Sequence, residues 1–222
     1  MADFKKIGFI GTGVMGGRMC RNLATKIGVP VIAYDMNPAN VAALADVGVT
    51  AAASVAEVAA AADLIIMCLP GEPQVRAVCL GENEGGNDGL LINVRAGQTI
   101  VDMTTATAAV AREVAEKFVE KSVDFADAPI ARGVSSAQDG TLSIMVGGSK
   151  AVFDRIKPVM ECMGTEITHC GAVGTGQVMK LMNNMVVFMN TAALAEALAI
   201  GRRAGVDGEL LFQTLSRGSA DS

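Results

Sequence analysis

The sequence predicts an α/β fold: a doubly wound, mostly parallel sheet followed by a long helix and the start of an all-α second domain. Three observations carry this expectation. Short continuous apolar runs such as Leu64-Ile65-Ile66-Met67-Cys68-Leu69 alternate with helix-like patterns, which suits strands covered on both faces. A glycine-rich turn, Gly11-Thr12-Gly13-Val14-Met15-Gly16, joins the first apolar run to the first helical pattern. After Gly171 the character changes, and Gly174 to Ala204 reads as one proline-free helix.

Taken in order, strands are expected near 6–10, 31–35, 64–69, 99–103, 123–127, 142–147 and 165–169. Helices are expected at 15–27, 38–46, 54–61, 72–80, 106–121 and 149–162. Ser54 is a natural N-cap, with Glu57 three residues on completing a capping box. Gly85-Gly86-Asn87-Asp88-Gly89 reads as a surface turn. Strand–helix alternation of this kind implies right-handed crossovers. The late helix carries apolar residues at Val178, Leu181, Met182, Met185, Phe188, Met189 and Ala192. At about 45 Å it is too long for one ordinary layer, so it is expected to lead into a second domain. Gly205 is a natural stop, and Asp207 can cap a shorter helix through Leu215. The expected division is residues 1–171 and 172–222.

The glycine turn points to a ligand. Gly11 permits the tight turn, Gly13 lets backbone approach a pyrophosphate, and Gly16 allows close helix–strand packing. The backbone N–H groups of Thr12, Val14 and Met15 lie in the same turn, where the helix dipole favours phosphate. Asp35 follows the second apolar run, where a carboxylate accepts hydrogen bonds from an adenosine ribose and repels a 2′-phosphate. Met36 and Asn37 offer no cation to such a phosphate. The reading is a Rossmann-type domain with NAD as cofactor.

Composition narrows the class. Of 222 residues 51% are hydrophobic but only 4% aromatic, so Ala, Val, Ile, Leu and Met must build the core. A net charge of −5 offers no basic stripe to nucleic acid. The mean hydropathy of +0.41 raises a membrane question. The apolar stretch Met185–Ile200, broken by Asn190 and Glu196, reads as too short to span a bilayer. No signal pattern is seen in Met1-Ala2-Asp3-Phe4-Lys5-Lys6, and the five cysteines form no CxxC pair. Reduced thiols in a soluble cytoplasmic protein, without metal, are the expectation.

Hydride chemistry needs a proton donor or acceptor near the reacting carbon. His169, the single histidine, ends a strand pattern and reads as structural. Lys180 is the better candidate, because a lysine early in an apolar helix is costly to bury unless it is paired or functional. Desolvation would lower its pKa toward the range of acid/base work. Asn184 lies four residues on, on the same helical face.

Together these segments resemble the β-hydroxyacid dehydrogenase family, which includes 3-hydroxyisobutyrate dehydrogenases, tartronate semialdehyde reductases and sulfolactaldehyde reductases. The resemblance runs through the glycine turn, Cys68-Leu69-Pro70, Asp102-Met103-Thr104-Thr105, Asp127-Ala128-Pro129, Gly140 to Gly148, and Gly174-Thr175-Gly176 leading to Lys180 and Asn184. It implies that Lys180 is the catalytic lysine and that Asn184, with Asn183 beside it, orients substrate. It further implies that Leu69, Pro70 and Thr105 line the nicotinamide and its ribose, and that the substrate is a small anionic hydroxy acid or semialdehyde.

Two departures stand out. Where the family commonly has Ser-Gly-Gly this chain has Ala131-Arg132-Gly133. Arg132 and Gly133 are therefore the expected substrate-binding pair, since a guanidinium binds carboxylate or sulfonate bidentately. The chain is also short for the family, which suggests C-terminal truncation; a homo-oligomer is expected for the full length. Two other readings are a nucleotide-binding module without turnover and a related imine or 6-phosphogluconate-type reductase. Lys180 disfavours the imine reductases, which usually replace it.

Overall fold

The computed structural model describes residues 4–81 and 89–220. Of the expected turn at 85–89, Gly85 to Asp88 lie outside the described residues, and Gly89 precedes a short helix. The chain divides into two compact units, Met1–Lys180 and Leu181–Ser222.

The first unit runs β1 (Ile7–Ile10), α1 (Val14–Lys26), β2 (Val31–Tyr34), α2 (Pro38–Ala42), a 3-10 turn (Ala45–Val47), β3 (Thr50–Ala51), α3 (Val55–Ala61), β4 (Leu64–Met67) and α4 (Glu72–Leu80). It continues α5 (Leu90–Asn93), β5 (Thr99–Asp102), α6 (Ala108–Val119), β6 (Asp124–Asp127), β7 (Ile130–Ala131), α7 (Gly133–Asp139), β8 (Leu142–Gly147), α8 (Lys150–Met160) and β9 (Gly164–Gly171). Helix α9 (Thr175–Arg203) begins in this unit and continues into the second, which also holds α10 (Gly208–Leu215).

Side-chain hydroxyls set several helix starts. Ser54 Oγ accepts the Glu57 N–H at 3.1 Å, and Glu57 reaches back to the Ala53 N–H at 2.7 Å. Ser149 and Thr107 cap α8 and α6 in the same way. The helix expected over 38–46 is split. Asn37 caps α2, the chain tightens into 3-10 bonding, and Gly48 in the left-handed region ends it.

The strands form one sheet in the order β3-β2-β1-β4-β5-β6-β8-β7, with β9 paired to β8. Every pairing from β3 to β6 is parallel. Strand β8 runs antiparallel to β6 and β7. Alternation along each strand divides the core into two faces. Ile7, Phe9, Leu64, Ile66 and Val101 pack with α1 and α8 through Met19, Leu23, Ile156 and Val159. Ile10, Ile65, Met67 and Ile100 pack with α3, α4 and α6 through Val58, Val75, Val114 and Phe118. Burial on both sides is why these strands read as unbroken apolar runs.

Two consequences position the site. The strand order reverses between β1 and β4, so a crevice opens at their carboxyl ends. Asp127, the last residue of β6, pairs with Gly147, the last residue of antiparallel β8. The earlier residues of β8, and β7 paired to them, therefore stand beyond the carboxyl edge of the parallel strands.

Candidate active site

The turn after β1 is shaped by what its glycines exclude. Gly11 has φ +87°, its N–H donates to the Tyr34 carbonyl at 2.9 Å, and a Cβ there would overlap the Cys68 carbonyl. A Cβ on Gly16 would overlap the Gly11 carbonyl and lie 3.3 Å from the Phe9 ring. Gly16 thus lets the turn fold back under its own helix. Gly13 differs, because a Cβ there would meet no atom within 4 Å. It faces open space, and α1 begins beside it with no side-chain cap and no acid in its first turn. Those helix N–H groups are left for an anion.

Asp35 stands at the end of β2 as a fixed acceptor. Its Oδ2 accepts the Thr12 N–H at 2.7 Å and the Thr12 hydroxyl at 3.4 Å. Its Oδ1 accepts the Asn37 N–H at 2.8 Å and Asn40 Nδ2 at 3.1 Å. The adjacent Met36 side chain is 91% exposed and apolar.

The loops after β4 and β5 are tied together beside this turn. The Leu69 N–H donates to Thr104 Oγ1 at 3.0 Å, and the Thr104 N–H donates to Asp102 Oδ1 at 2.9 Å. Leu69 and Pro70 thus stand on one loop, with Thr105 on its bonded neighbour. Burial pushes the Asp102 carboxyl up to about 7. Burial, reinforced by Asp102, pushes the Cys68 thiol up to about 12, so it is no thiolate nucleophile.

Arg132 and Gly133 form the turn between β7 and α7. Both have left-handed backbones, φ +85° and +75°, and for arginine this conformation costs about 1–2 kcal/mol. Arg132 Nη1 donates to the Thr141 carbonyl at 3.1 Å and to Thr165 Oγ1 at 3.2 Å, with Glu166 4.0 Å from Nη2. The guanidinium is braced against β8 and β9 and remains half-exposed. Asn22 of α1 donates to the Ala137 and Gln138 carbonyls, which ties the glycine-turn helix to α7.

Lys180 lies in the second turn of α9, partly buried. Burial lowers its pKa, and among the described residues no carboxylate pairs with it. Asn183 and Asn184 belong to the second unit, where Asn183 Nδ2 donates to Asn184 Oδ1 at 3.4 Å. His169 lies 2.8 Å through Nε2 from the Gly148 carbonyl and stacks on Phe153, a structural setting. Sequence reasoning gave no role to the buried polar pair Asp127 and Gln177, although Asp127 stands in the Asp127-Ala128-Pro129 motif. The other visible signal was the glycine spacing Gly174-Thr175-Gly176 ahead of Lys180.

The sequence reading of Met185–Ile200 as too short for a membrane needs correction. The helix extends on both sides of that stretch, and by length and composition alone α9 could cross a bilayer. Known proteins account for it differently. A model of the NAD-binding domain of 6-phosphogluconate dehydrogenase matches residues 6–171. A second, from NADP-dependent 3-hydroxyisobutyrate dehydrogenase, matches 174–222 and so takes in all of α9. The chain is 41% identical over 217 residues to 2-(hydroxymethyl)glutarate dehydrogenase of Eubacterium barkeri, covering 98% of this chain and 70% of that one. The chain belongs to the β-hydroxyacid dehydrogenase family. Mouse mitochondrial 3-hydroxyisobutyrate dehydrogenase is 39% identical over 219 residues, covering 99% of this chain and 64% of that enzyme. The 3-hydroxyisobutyrate dehydrogenase of Mycobacterium tuberculosis, solved with L-serine, superposes with a TM-score of 0.87 at 33% identity, covering 98% and 72% of the two chains. The chain spans 63 to 70% of the length of its curated relatives. An NAD(P) dinucleotide fits the open face at Gly13, the uncapped α1 and the Asp35 carboxylate.

Proposed function

We propose that the chain is the greater part of an NAD-dependent dehydrogenase that interconverts a small anionic β-hydroxy acid and its semialdehyde. The observation that carries this is Lys180: partly buried, without a carboxylate partner among the described residues, and in a family of hydroxyacid dehydrogenases. Gly13, Val14 and Met15 would hold the pyrophosphate beside Thr12, whose N–H is engaged by Asp35; Asp35 would hold the adenosine ribose, and Leu69, Pro70 and Thr105 the nicotinamide end. When bound, the dinucleotide supplies hydride for reduction and takes it up in oxidation. Lys180 gives its proton to the substrate's carbonyl oxygen in reduction and accepts the hydroxyl proton in oxidation. Asn184, one helical turn beyond, orients the substrate with Asn183, and the Arg132–Gly133 turn receives its acid group. The mycobacterial relative solved with L-serine, a three-carbon β-hydroxy acid, supports a ligand of this size.

Five cysteines outside any disulfide suit a reducing compartment, and we place the protein in the cytoplasm. The exposed Met185, Phe188, Met189, Leu210 and Phe212 suit burial in a homo-oligomer.

A screen of short hydroxy acids, with 3-hydroxyisobutyrate and L-serine among them, tests the activity with NAD and NADP. Turnover of acidic β-hydroxy compounds and poor rates with uncharged alcohols of equal size are expected. The screen also reads cofactor choice. Both Asp35 oxygens already accept protein donors, and the carboxylate would repel a 2′-phosphate, with no cation at Met36 or Asn37 to offset it. NADH is expected to bind at least ~10-fold more tightly than NADPH, about 1.4 kcal/mol. Equal or tighter NADPH binding in a fluorescence titration would refute the assignment of Asp35.

A further inference from the structure

The first turn of α9 is held from below by one buried carboxylate. Asp127 is fully buried at the end of β6. The Gly174 N–H donates to its Oδ1 at 2.7 Å, and the Gln177 N–H donates to its Oδ2 at 2.8 Å. Two backbone donors at the helix start are thus satisfied by a residue 47 and 50 positions earlier, not by a local cap. The fit needs three glycines. Gly174 has φ +89°, a Cβ on Gly147 would overlap Asp127 Oδ1, and a Cβ on Gly176 would overlap the Met145 carbonyl. Burial raises the Asp127 pKa, while the two backbone donors and Arg112 favour its charged form. The charge also faces the positive end of the helix dipole.

Gln177 extends this hold upward. Its side chain is fully buried, Oε1 accepts the Ala106 N–H at 3.0 Å, and Nε2 donates to the Thr104 carbonyl at 2.7 Å. Thr104 is the residue whose hydroxyl holds the Leu69 N–H. The helix start is therefore bonded to the loops after β4 and β5 through side chains that reach no solvent. Lys180 comes three residues after Gln177, on the neighbouring stripe of the same helix.

We propose that Asp127 and Gln177 are positioning residues that fix Lys180 relative to the loops carrying Leu69, Pro70 and Thr105. They touch neither substrate nor cofactor; they set where the lysine's proton is delivered. A shift of about 1 Å in such a group costs on the order of 10²-fold in rate. This rests on the catalytic reading of Lys180 above, and its test separates the two.

The experiment is a double-mutant cycle of Asp127→Asn and Lys180→Ala, assayed with 3-hydroxyisobutyrate and NAD, alongside NADH affinity and thermal melting. The asparagine keeps the volume but replaces one acceptor by a donor, so one helix N–H loses its partner. Asp127→Asn alone is expected to lower kcat at least tenfold, with NADH affinity changed less than twofold. In the Lys180→Ala background the same substitution should cost less than about threefold, because its effect runs through the missing lysine. Equal losses in both backgrounds would mean a general structural role and overturn the proposal, as would wild-type kcat in Asp127→Asn. A loss below tenfold in Lys180→Ala alone would instead overturn the catalytic reading, and the proposal with it. If Asp127→Asn does not fold, Gln177→Glu runs the same cycle, keeping the acceptor for Ala106 and losing the donor to Thr104. The same two thresholds decide it.

Discussion

Lys180→Ala is expected to lower kcat by 10²–10⁴-fold while leaving NADH affinity within about twofold of the parent, the usual span for a lost general acid or base. The asymmetry follows from position. The dinucleotide's contacts are assigned to the turn after β1, to Asp35 and to the loops after β4 and β5, none of which includes Lys180. The lysine has no carboxylate partner among the described residues, so its removal leaves no buried countercharge, and stability should change little. The pH dependence carries the same signature. Burial lowers the Lys180 pKa, so the neutral amine needed for oxidation forms at lower pH than for a free lysine. The oxidation rate should rise with pH through that pKa, and the reduction rate should fall through it. Lys180→Arg should abolish both, since a guanidinium does not give up its proton in this range. Rates of oxidation that ignore pH, or a loss below tenfold in the alanine variant, would remove Lys180 from the chemistry.

What the sequence disclosed about this site, and what it hid, follows from range. The glycine turn is local: three glycines, an apolar run before and a helix after lie within the twenty residues Ile7–Lys26, so its geometry is written in one segment. Even there the structure refines the parts, for Gly16 clears the Gly11 carbonyl and not simply a helix–strand contact. Strands covered on both faces announce themselves as apolar runs, which is why β1, β2, β4, β5 and β6 fall close to where they were expected. Short or polar elements carry no such signal. Strand β3 is two exposed residues, β7 is two residues, and α7 is Gly-Val-Ser-Ser-Ala-Gln-Asp, with one buried residue and no apolar stripe. The Asp127–Gly174 and Thr104–Gln177 bonds join positions 47 and 73 apart. Nothing in the local composition of either end points to the other.

Arg132→Ala is expected to raise KM for the best acidic substrate by about 10- to 150-fold, corresponding to roughly 1.5–3 kcal/mol for lost charge-assisted hydrogen bonds. Strain is the structural argument. A non-glycine residue at φ +85° adds about 1–2 kcal/mol that glycine would avoid. Arg132→Gly should therefore recover part of that stability while losing the same substrate affinity, a separation a purely structural arginine would not produce. The side chain is also held ready. Nη1 rests on the Thr141 carbonyl and Thr165 Oγ1, which fixes the fork without a close carboxylate to neutralise it, Glu166 standing off at 4.0 Å. Its turn stands on β7 and β8, beyond the carboxyl edge of the parallel strands where the crevice opens. Two further donors on Nη2 and Nε give a planar carboxylate or a tetrahedral sulfonate a bidentate partner. Arg132→Lys, which keeps the charge but not the fork, should fall between alanine and the parent. If both variants keep the parent's KM, the guanidinium serves only to brace β8 against β9.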